Sequence, residues 1–196
     1  MGIIRNCSLL TAGECVIMKE KAIMAYGVLD YIGHDLIAAC EAFRHFQSPD
    51  IRTSLSQHSP AYLNRLCLNH IFIALSRWQE FYKRFARYIP AQEKTSAKKL
   101  NADLDSRGLR TFRNEFLTHI WSREQNRPLT DSEISNTARK VAGGDFTQFV
   151  NWIHDYHASE KAETVVQIVE RLRNAFFDVY GLTDRDTSPG LFKDDT

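Results

Sequence analysis

The residues best suited to chemistry lie in one short segment of the chain, residues 109–121. In this segment Arg113 is followed directly by Asn114, and five residues separate Arg113 from His119. An Arg side chain is always charged and offers a fork of donors to phosphate oxygens. A His side chain is well placed to move protons near neutral pH. These residue types, close together, are suited to handling a phosphodiester.

The apolar residues of the same segment predict an amphipathic helix over residues 108–122. At about 100° per residue, they fall on one side of the helix. They are Leu109, Phe112, Phe116, Leu117 and Ile120. Arg113 and His119 flank this stripe at positions about 120° apart, so both lie beside a buried face and need partners.

Two arrangements would bring Arg113 and His119 together. Two copies of the helix packed across a twofold axis would place Arg113 of one chain near His119 of the other. A local irregularity of the helix would instead change the angle between them within one chain. A structural alternative stays open, because one Arg and one His at this spacing are common by chance. In it, Arg113 pairs with a carboxylate and His119 is a satisfied histidine at the core boundary.

The segment resembles the motif of the HEPN superfamily, most closely its abortive-infection branch. That motif places an Arg and a His a few residues apart on a helix, with a polar residue directly after the Arg. Here the matching residues are Arg113, Asn114 and His119. The long preceding helix with Trp78 and Tyr82 also fits this branch. The resemblance implies an all-α, HEPN-like, up-and-down helical bundle.

The resemblance also implies a function. Active members are metal-independent endoribonucleases without a cofactor, and they dimerise so that two motif copies form one composite site. By position, Arg113 would hold the scissile phosphate, His119 would transfer protons, and Asn114 would orient one of them or contact the phosphate. The expected products carry a 2′,3′-cyclic phosphate and a 5′-hydroxyl. The expected role is a toxin or phage-defence effector with RNA as substrate, a homodimer, and an antitoxin or regulatory protein as a further partner.

Other groupings of ligand-type residues are less specific. The pairs within one helical turn are Glu115 with His119, Glu41 with His45, and His154 with His157. A carboxylate-bridged metal site in a bundle needs matching Glu-x-x-His pairs on facing helices. The sequence has no Glu-x-x-His, so we expect no metal. It also contains neither a Gly-rich phosphate loop nor a nucleophile elbow.

The charge balance excludes a generally basic nucleic-acid binder. The chain has 25 Lys and Arg against 24 Asp and Glu, a formal net charge of +1. Residues 77–113 nevertheless contain ten basic and four acidic residues. This basic stretch is compatible with a groove that follows RNA phosphates. The same charges would equally solvate the outer face of a long helix.

Composition predicts a single folded domain. The 196 residues are 43% hydrophobic and 25% charged, which is the usual balance of a folded protein. With nine Gly and five Pro, the chain is poor in turns, which favours helices. We expect residues 1–182 to form one helical domain and residues 183–196 a polar, frayed tail.

The thiols and the N-terminal sequence predict a cytoplasmic protein. The four Cys form no Cys-x-x-Cys pair, and Cys40 and Cys67 lie within apolar stripes, as small core residues do. The first residues lack the pattern of a signal peptide. No apolar run is long enough to span a membrane.

Apolar residues recurring every three or four positions predict the helices. They are expected at residues 14–47, 59–89, 108–122, 130–143, 145–156 and 159–180. The second of these has the clearest buried stripe: Leu68, Phe72, Leu75, Trp78, Tyr82, Phe85 and Ile89. We expect this one very long helix to set the length of the bundle, with shorter helices toward the C-terminus.

Several helix starts carry capping signals. Ser59 precedes a Pro at the first helical position. Thr130 and Glu133 fit a capping box, and Asp145 and Ser159 are candidate N-caps.

The connecting segments are less determined. Residues 51–59 are polar and loop-like. Residues 91–107 are either a mobile linker or the exposed start of the next helix. Residues 1–13 are ambiguous.

The sequence leaves two functions open. The first is the endoribonuclease, in which two motif copies converge in an open basic cleft. The second is a helical binding or assembly module that docks to RNA or to a partner protein without cleavage. In that module His119 is buried and satisfied, or the two copies lie far apart.

Overall fold

The computed structural model of the chain describes residues 12–54, 56, 59–114, 121–122, 126–156 and 163–188. Over these residues the chain forms an all-α helical bundle with one small β-hairpin, so the predicted fold class is confirmed. The helices are α1 (Ala12–Gln47), α2 (Pro49–Ser54), α3 (Ser59–Phe85), α4 (Lys94–Ser106), α5 (Leu109–Phe112), α6 (Asp131–Val141), α7 (Phe146–Ile153), α8 (Val165–Val179) and α9 (Asp184–Thr187). The strands are β1 (Trp121–Ser122) and β2 (Arg127–Pro128), and short 3₁₀ turns lie at Ala86–Tyr88 and Ala91–Glu93.

Three long helices form the centre of the bundle, since α1 packs along both α3 and α8. Each buries residues spaced three or four positions apart, as an amphipathic helix requires. On α1 these are Ala22, Ala25, Leu29, Ile32, Leu36, Cys40 and Phe43. The stripe predicted for residues 59–89 is buried, with Tyr82 only partly so. The predicted helix end is wrong, because α3 ends at Phe85 and buried Ile89 lies beyond it.

The longest described helix is α1. It has 36 residues, whereas α3 has 27, so the prediction that the helix at residues 59–89 sets the length of the bundle is wrong. At 1.5 Å per residue, α1 is roughly 54 Å long and α3 roughly 40 Å. Gly33 lies within α1, and a Cβ at this position would be 3.7 Å from Cγ1 of Val169 on α8. This Gly therefore marks a close approach between the two helices.

Two connecting segments are more helical than the sequence indicates. Part of the predicted loop after α1 forms α2, because a Pro such as Pro49 can begin a helix as readily as it ends one. Residues 91–107, for which the sequence allowed either a linker or the start of a helix, contain α4. It buries a narrow stripe of three residues within a polar sequence: Ala97, Leu100 and Leu104.

The predicted helix over residues 108–122 is only partly present. Its first turn is α5, and the backbone at Arg113 and Asn114 is π-helical. Its last two residues form β1, which pairs antiparallel with β2, so the helix prediction is wrong there. Short apolar runs fit a helix and a strand equally well, and this is the reason for the error. Residues 115–120, which include His119, lie outside the described residues.

The later helices begin at capping side chains. Thr130 and Glu133 form the predicted capping box of α6, and the Asp145 carboxylate caps α7 as predicted. The N-cap of α8 is Thr164, which lies later than the predicted Ser159. Both residue types are good N-caps, so the sequence signal did not distinguish them. Ser159 itself lies outside the described residues.

The end of the chain differs in part from the predicted frayed tail. Gly181, with a φ of 58°, follows α8 as predicted. Thr183 then caps the short helix α9. The Asp186 carboxylate of α9 pairs with Lys19 of α1 at 3.0 Å, so these residues pack against the bundle.

Candidate functional site

The segment that carries Arg113 starts from a tight turn between α4 and α5. Gly108 at this turn has a φ of 74°, in the left-handed region that Gly adopts without strain. Its N–H donates to the Asp105 carbonyl at 3.0 Å. The turn ends α4 and lets α5 begin at the next residue.

Phe112 fixes α5 in the core. Its ring is buried and meets Phe72 of α3 edge-on, with ring centroids 4.8 Å apart. Phe72 in turn contacts Phe149 of α7, with centroids 5.6 Å apart. Because Phe112 is buried against Phe72, the next residue, Arg113, comes to the edge of the buried face, as the helical spacing predicts.

The Arg113 side chain reaches a carboxylate of α3. Its Nη1 lies 2.7 Å from Oε1 of Glu80, and the two side chains are 35% and 50% exposed. Solvent therefore reaches this ion pair, and such pairs are weak, about 0–1 kcal/mol. A phosphate offers the guanidinium the same kind of charged oxygen acceptors as a carboxylate does. A phosphate oxygen can therefore exchange with Glu80.

Asn114 is exposed next to Arg113, on the π-helical backbone. A local helix irregularity of this kind is one of the two arrangements that could bring Arg113 and His119 together. π-helical turns are frequent at functional sites. Because His119 lies outside the described residues, the joint placement of Arg113, Asn114 and His119 stays a prediction.

Three exposed apolar residues of α3 lie on the same helical face as Glu80. Tyr62, Leu66 and Ile73 are 65%, 63% and 40% exposed. They are spaced by four and seven positions, so they share one helical face. Glu80 lies on the same face, a further seven positions along. We call Tyr62, Leu66 and Ile73 the α3 stripe, which ends at Ile73, about 10 Å along the helix from Glu80.

The basic stretch at residues 77–113 is largely on the surface. Arg84 lies one turn beyond Glu80 on α3, and Arg110 lies one turn before Arg113, so both are close in sequence to the ion pair. The exposed basic residues of this stretch are Arg77, Lys83, Arg84, Arg87, Lys94, Lys98, Lys99 and Arg110. Arg77 is engaged with Asp35 of α1.

Glu80 is the residue that sequence reasoning missed. It lies 33 positions before Arg113 on another helix. Local periodicity does not predict which helices pack together, so it could not identify Glu80. The only signal was its acidic charge within a basic stretch. The structural alternative predicted a carboxylate for Arg113 without naming it, and Glu80 is that carboxylate.

A second polar group ties α7 to α1. Arg44 Nη2 donates to the Asn151 side-chain oxygen at 3.1 Å and also to the His154 carbonyl. The Tyr156 hydroxyl donates to the Glu41 carboxylate. Burial lowers the pKa of His154, which favours its neutral form. These contacts tie the end of α7 to α1, although Nη1 of Arg44 and Nε2 of His154 are buried without a hydrogen-bond partner in the described part of the chain.

The described residues contain no group of three His, Cys, Asp or Glu that could hold a metal ion. The Glu115–His119 and His154–His157 pairs each include a residue outside the described ones. Cys40 and Cys67 are buried, as predicted. Burial raises the pKa of the Cys40 thiol to about 12, so it is protonated. Within the described part of the chain, every helix is too short or too polar to cross a membrane.

Comparison with known proteins supports the fold alone. The chain matches no protein-family model and no curated protein. A solved structure with a similar fold is the integron cassette protein Vpc_cass2, from the mobile metagenome of V. paracholerae. The match has a TM-score of 0.61 and 19% sequence identity, and it covers 86% of this chain and 98% of that chain. The protein is therefore an all-α helical bundle of the same fold as this cassette protein.

Proposed function

We propose that the protein is a metal-independent endoribonuclease of the HEPN type that acts as a homodimer, in the role of a toxin or phage-defence effector. The main support is the placement of Arg113. Its guanidinium is solvent-accessible, anchored by buried Phe112 and held by an exchangeable carboxylate, Glu80. This is what a phosphate-binding side chain needs.

The reaction is the one that the resemblance to HEPN nucleases implies. The substrate's own 2′-hydroxyl oxygen attacks the phosphorus, and the bond from phosphorus to the 5′-oxygen breaks. His119 transfers the proton that leaves the 2′-hydroxyl or the one that the 5′-oxygen gains. Arg113 replaces Glu80 with the phosphate and offsets the charge that develops on its oxygens. The products carry a 2′,3′-cyclic phosphate and a 5′-hydroxyl, and Asn114 orients one of the reacting groups.

A homodimer is the arrangement that completes this site. The α3 stripe supplies exposed apolar side chains for such a contact. It lies on the same face of α3 as Glu80, the partner of Arg113. A second copy packed on this stripe with the two α3 helices parallel, the twofold axis running along them, would bring the two Arg113-containing segments close together.

Cleavage of total RNA in EDTA tests the proposal. The wild type is expected to cleave and to leave cyclic phosphate ends. Arg113→Ala and His119→Ala are each expected to slow cleavage by about 100-fold or more, since each removes a group that acts in the transition state. Arg52→Ala is the matched control, because Arg52 is an exposed Arg on α2, outside the proposed site.

Three results would contradict the proposal. The first is cleavage by both motif variants at the wild-type rate. The second is loss of cleavage in EDTA that added metal restores. The third is absence of cleavage by folded, dimeric wild type on every RNA tried.

A second candidate function is favoured by the ion pair itself. The carboxylate partner of Arg113 is what a structural role of this Arg predicts. In this case the protein is a helical module that docks to RNA or to a partner protein without cleaving. Binding of total RNA in EDTA, with the RNA recovered intact, would support this candidate.

A further inference from the structure

The last turns of α3 lie beside α4. The Gln79 amide of α3 donates to the Asp105 carboxylate of α4 at 2.6 Å. The chain turns back between the two helices over residues 86–93, so they run antiparallel. Positions that follow Gln79 on α3 therefore lie beside positions that precede Asp105 on α4.

Cationic side chains occupy these positions on both helices. Lys83 comes about one turn after the contact on α3, and Arg87 follows in the adjoining 3₁₀ turn. Lys98 and Lys94 come about two and three turns before the contact on α4. All four side chains are exposed. We call Lys83, Arg87, Lys94 and Lys98 the basic seam.

The protein does not compensate the charges of the basic seam. Within the described part of the chain, none of the four side chains forms an ion pair. The Arg87 guanidinium lies over the ring of Tyr88, 4.6 Å from its centroid. Lys94 and Lys98 are four residues apart, a spacing at which like charges destabilise a helix. A surface of this kind suits an external polyanion, because cations that neutralise phosphates release the counterions bound there.

The basic seam begins beside the partner of Arg113. Glu80, which pairs with Arg113, precedes Lys83 by three residues, or about 4.5 Å along α3. Glu93, the carboxylate next to Lys94, is buried and pairs with an Arg of α8 at 2.7 Å, so it does not neutralise the seam. A strand with one phosphate at Arg113 would therefore meet Lys83 next and the other cations beyond it.

We propose that the basic seam binds the RNA strand on one side of the scissile phosphate. The phosphates of the strand pass from Arg113 to Lys83 and then along the junction of α3 and α4. This rests on the proposed function, which supplies the ligand and places the scissile phosphate at Arg113. Contacts to phosphates carry no direct sequence information, so the seam adds affinity and fixes the path of the strand without selecting its bases.

Fluorescence anisotropy with a labelled 2′-O-methyl oligouridylate tests the proposal. The probe keeps every phosphate but lacks the attacking hydroxyl, so it reports binding without cleavage. Its affinity is measured over a range of KCl concentrations. Each phosphate contact on a single strand adds about 0.7 to the slope of log affinity against log salt. Lys83→Gln combined with Lys98→Gln should therefore make the slope shallower by about 1.4 and weaken binding at 0.1 M salt by roughly 10-fold or more.

Arg52→Gln combined with Lys140→Gln is the matched control. It removes the same net charge from exposed positions of α2 and α6, away from the seam, and should leave the slope unchanged. Equal losses in the two double variants, a wild-type affinity that does not depend on salt, or no binding of the probe would each overturn the proposal.

Failure of the proposed function gives a different pattern. The probe would then bind with the predicted loss in the seam variant, while the wild type leaves unmodified RNA intact. Cleavage of unmodified RNA by the wild type, together with equal losses of probe binding in the two double variants, would overturn the basic seam alone.

Discussion

Two neighbouring residues, Phe112 and Arg113, have opposite environments. Phe112 is buried against Phe72, whereas Arg113 is partly exposed and meets Glu80 at the surface. The helical wheel predicted this difference, because the angle between adjacent residues depends only on local geometry. The identity of the carboxylate was not predictable. Glu80 belongs to another helix, and the contact depends on how α3 and α5 pack.

This difference predicts unequal effects on stability. Phe112→Ala should lower the free energy of unfolding by about 3–5 kcal/mol, because it leaves a cavity beside Phe72. Arg113→Ala should cost less, because the ion pair with Glu80 that it removes is solvent-exposed and such pairs contribute about 0–1 kcal/mol. Urea unfolding followed by circular dichroism measures both values. A cost for Arg113→Ala as large as that for Phe112→Ala would show that Arg113 is mainly structural.

At the scale of the helices, the long elements were predictable and the connections were not. α1, α3 and α8 each carry many apolar residues at helical spacing, so several positions agree on one buried face. α4 has only three buried residues within a polar sequence, and this left a linker equally plausible. After α5 the described backbone is π-helical at Arg113 and Asn114 and extended at Trp121 and Ser122. The helical spacing of residues 108–122 therefore did not reveal that their last two residues form a strand.

The capping box of α6 predicts a pH dependence. The Glu133 carboxylate accepts hydrogen bonds from Arg127 and from the backbone and side chain of Thr130, and these lower its pKa from 4.5 to about 2. A lowered pKa stabilises the folded state above the unfolded value, and this stabilisation is lost as pH falls. For Glu133 it is therefore fully present above about 4.5 and disappears toward pH 2.

Melting temperatures across this pH range check the prediction. Wild type is expected to melt above Glu133→Gln at neutral pH, and the gap should narrow steadily between pH 4.5 and pH 2. Glu20→Gln, at an exposed position of α1, is the control and should show no such convergence. A gap that stays constant down to the lowest pH would mean that the Glu133 charge does not stabilise α6.

At the scale of the whole molecule, the sequence predicted the bundle but not its surfaces. Apolar residues predict a buried face, yet they do not show which of them remain exposed after the helices pack. The α3 stripe shows this, because Leu66 and Ile73 are exposed although they follow the same spacing as core residues. The structure therefore adds an exposed apolar surface on the face of α3 that also carries Glu80, the partner of Arg113.

Mixing two inactive variants tests the central claim most directly. Arg113→Ala and His119→Ala subunits are unfolded together, refolded and assayed on RNA in EDTA. In the mixed dimer, Arg113 of one chain and His119 of the other form one intact composite site. Recovery of up to about half of wild-type activity is expected, because about half of the dimers are mixed and the single composite site of each keeps one Arg113 and one His119.

Leu66→Asp, introduced into both variants, is the control for assembly, since a charge on the α3 stripe should prevent dimerisation and with it the recovery. Recovery that requires an intact stripe would establish a nuclease site shared between two chains. No recovery from mixtures shown to contain mixed dimers, while the wild type cleaves, would contradict the composite site and place the chemistry within one chain or elsewhere on the protein.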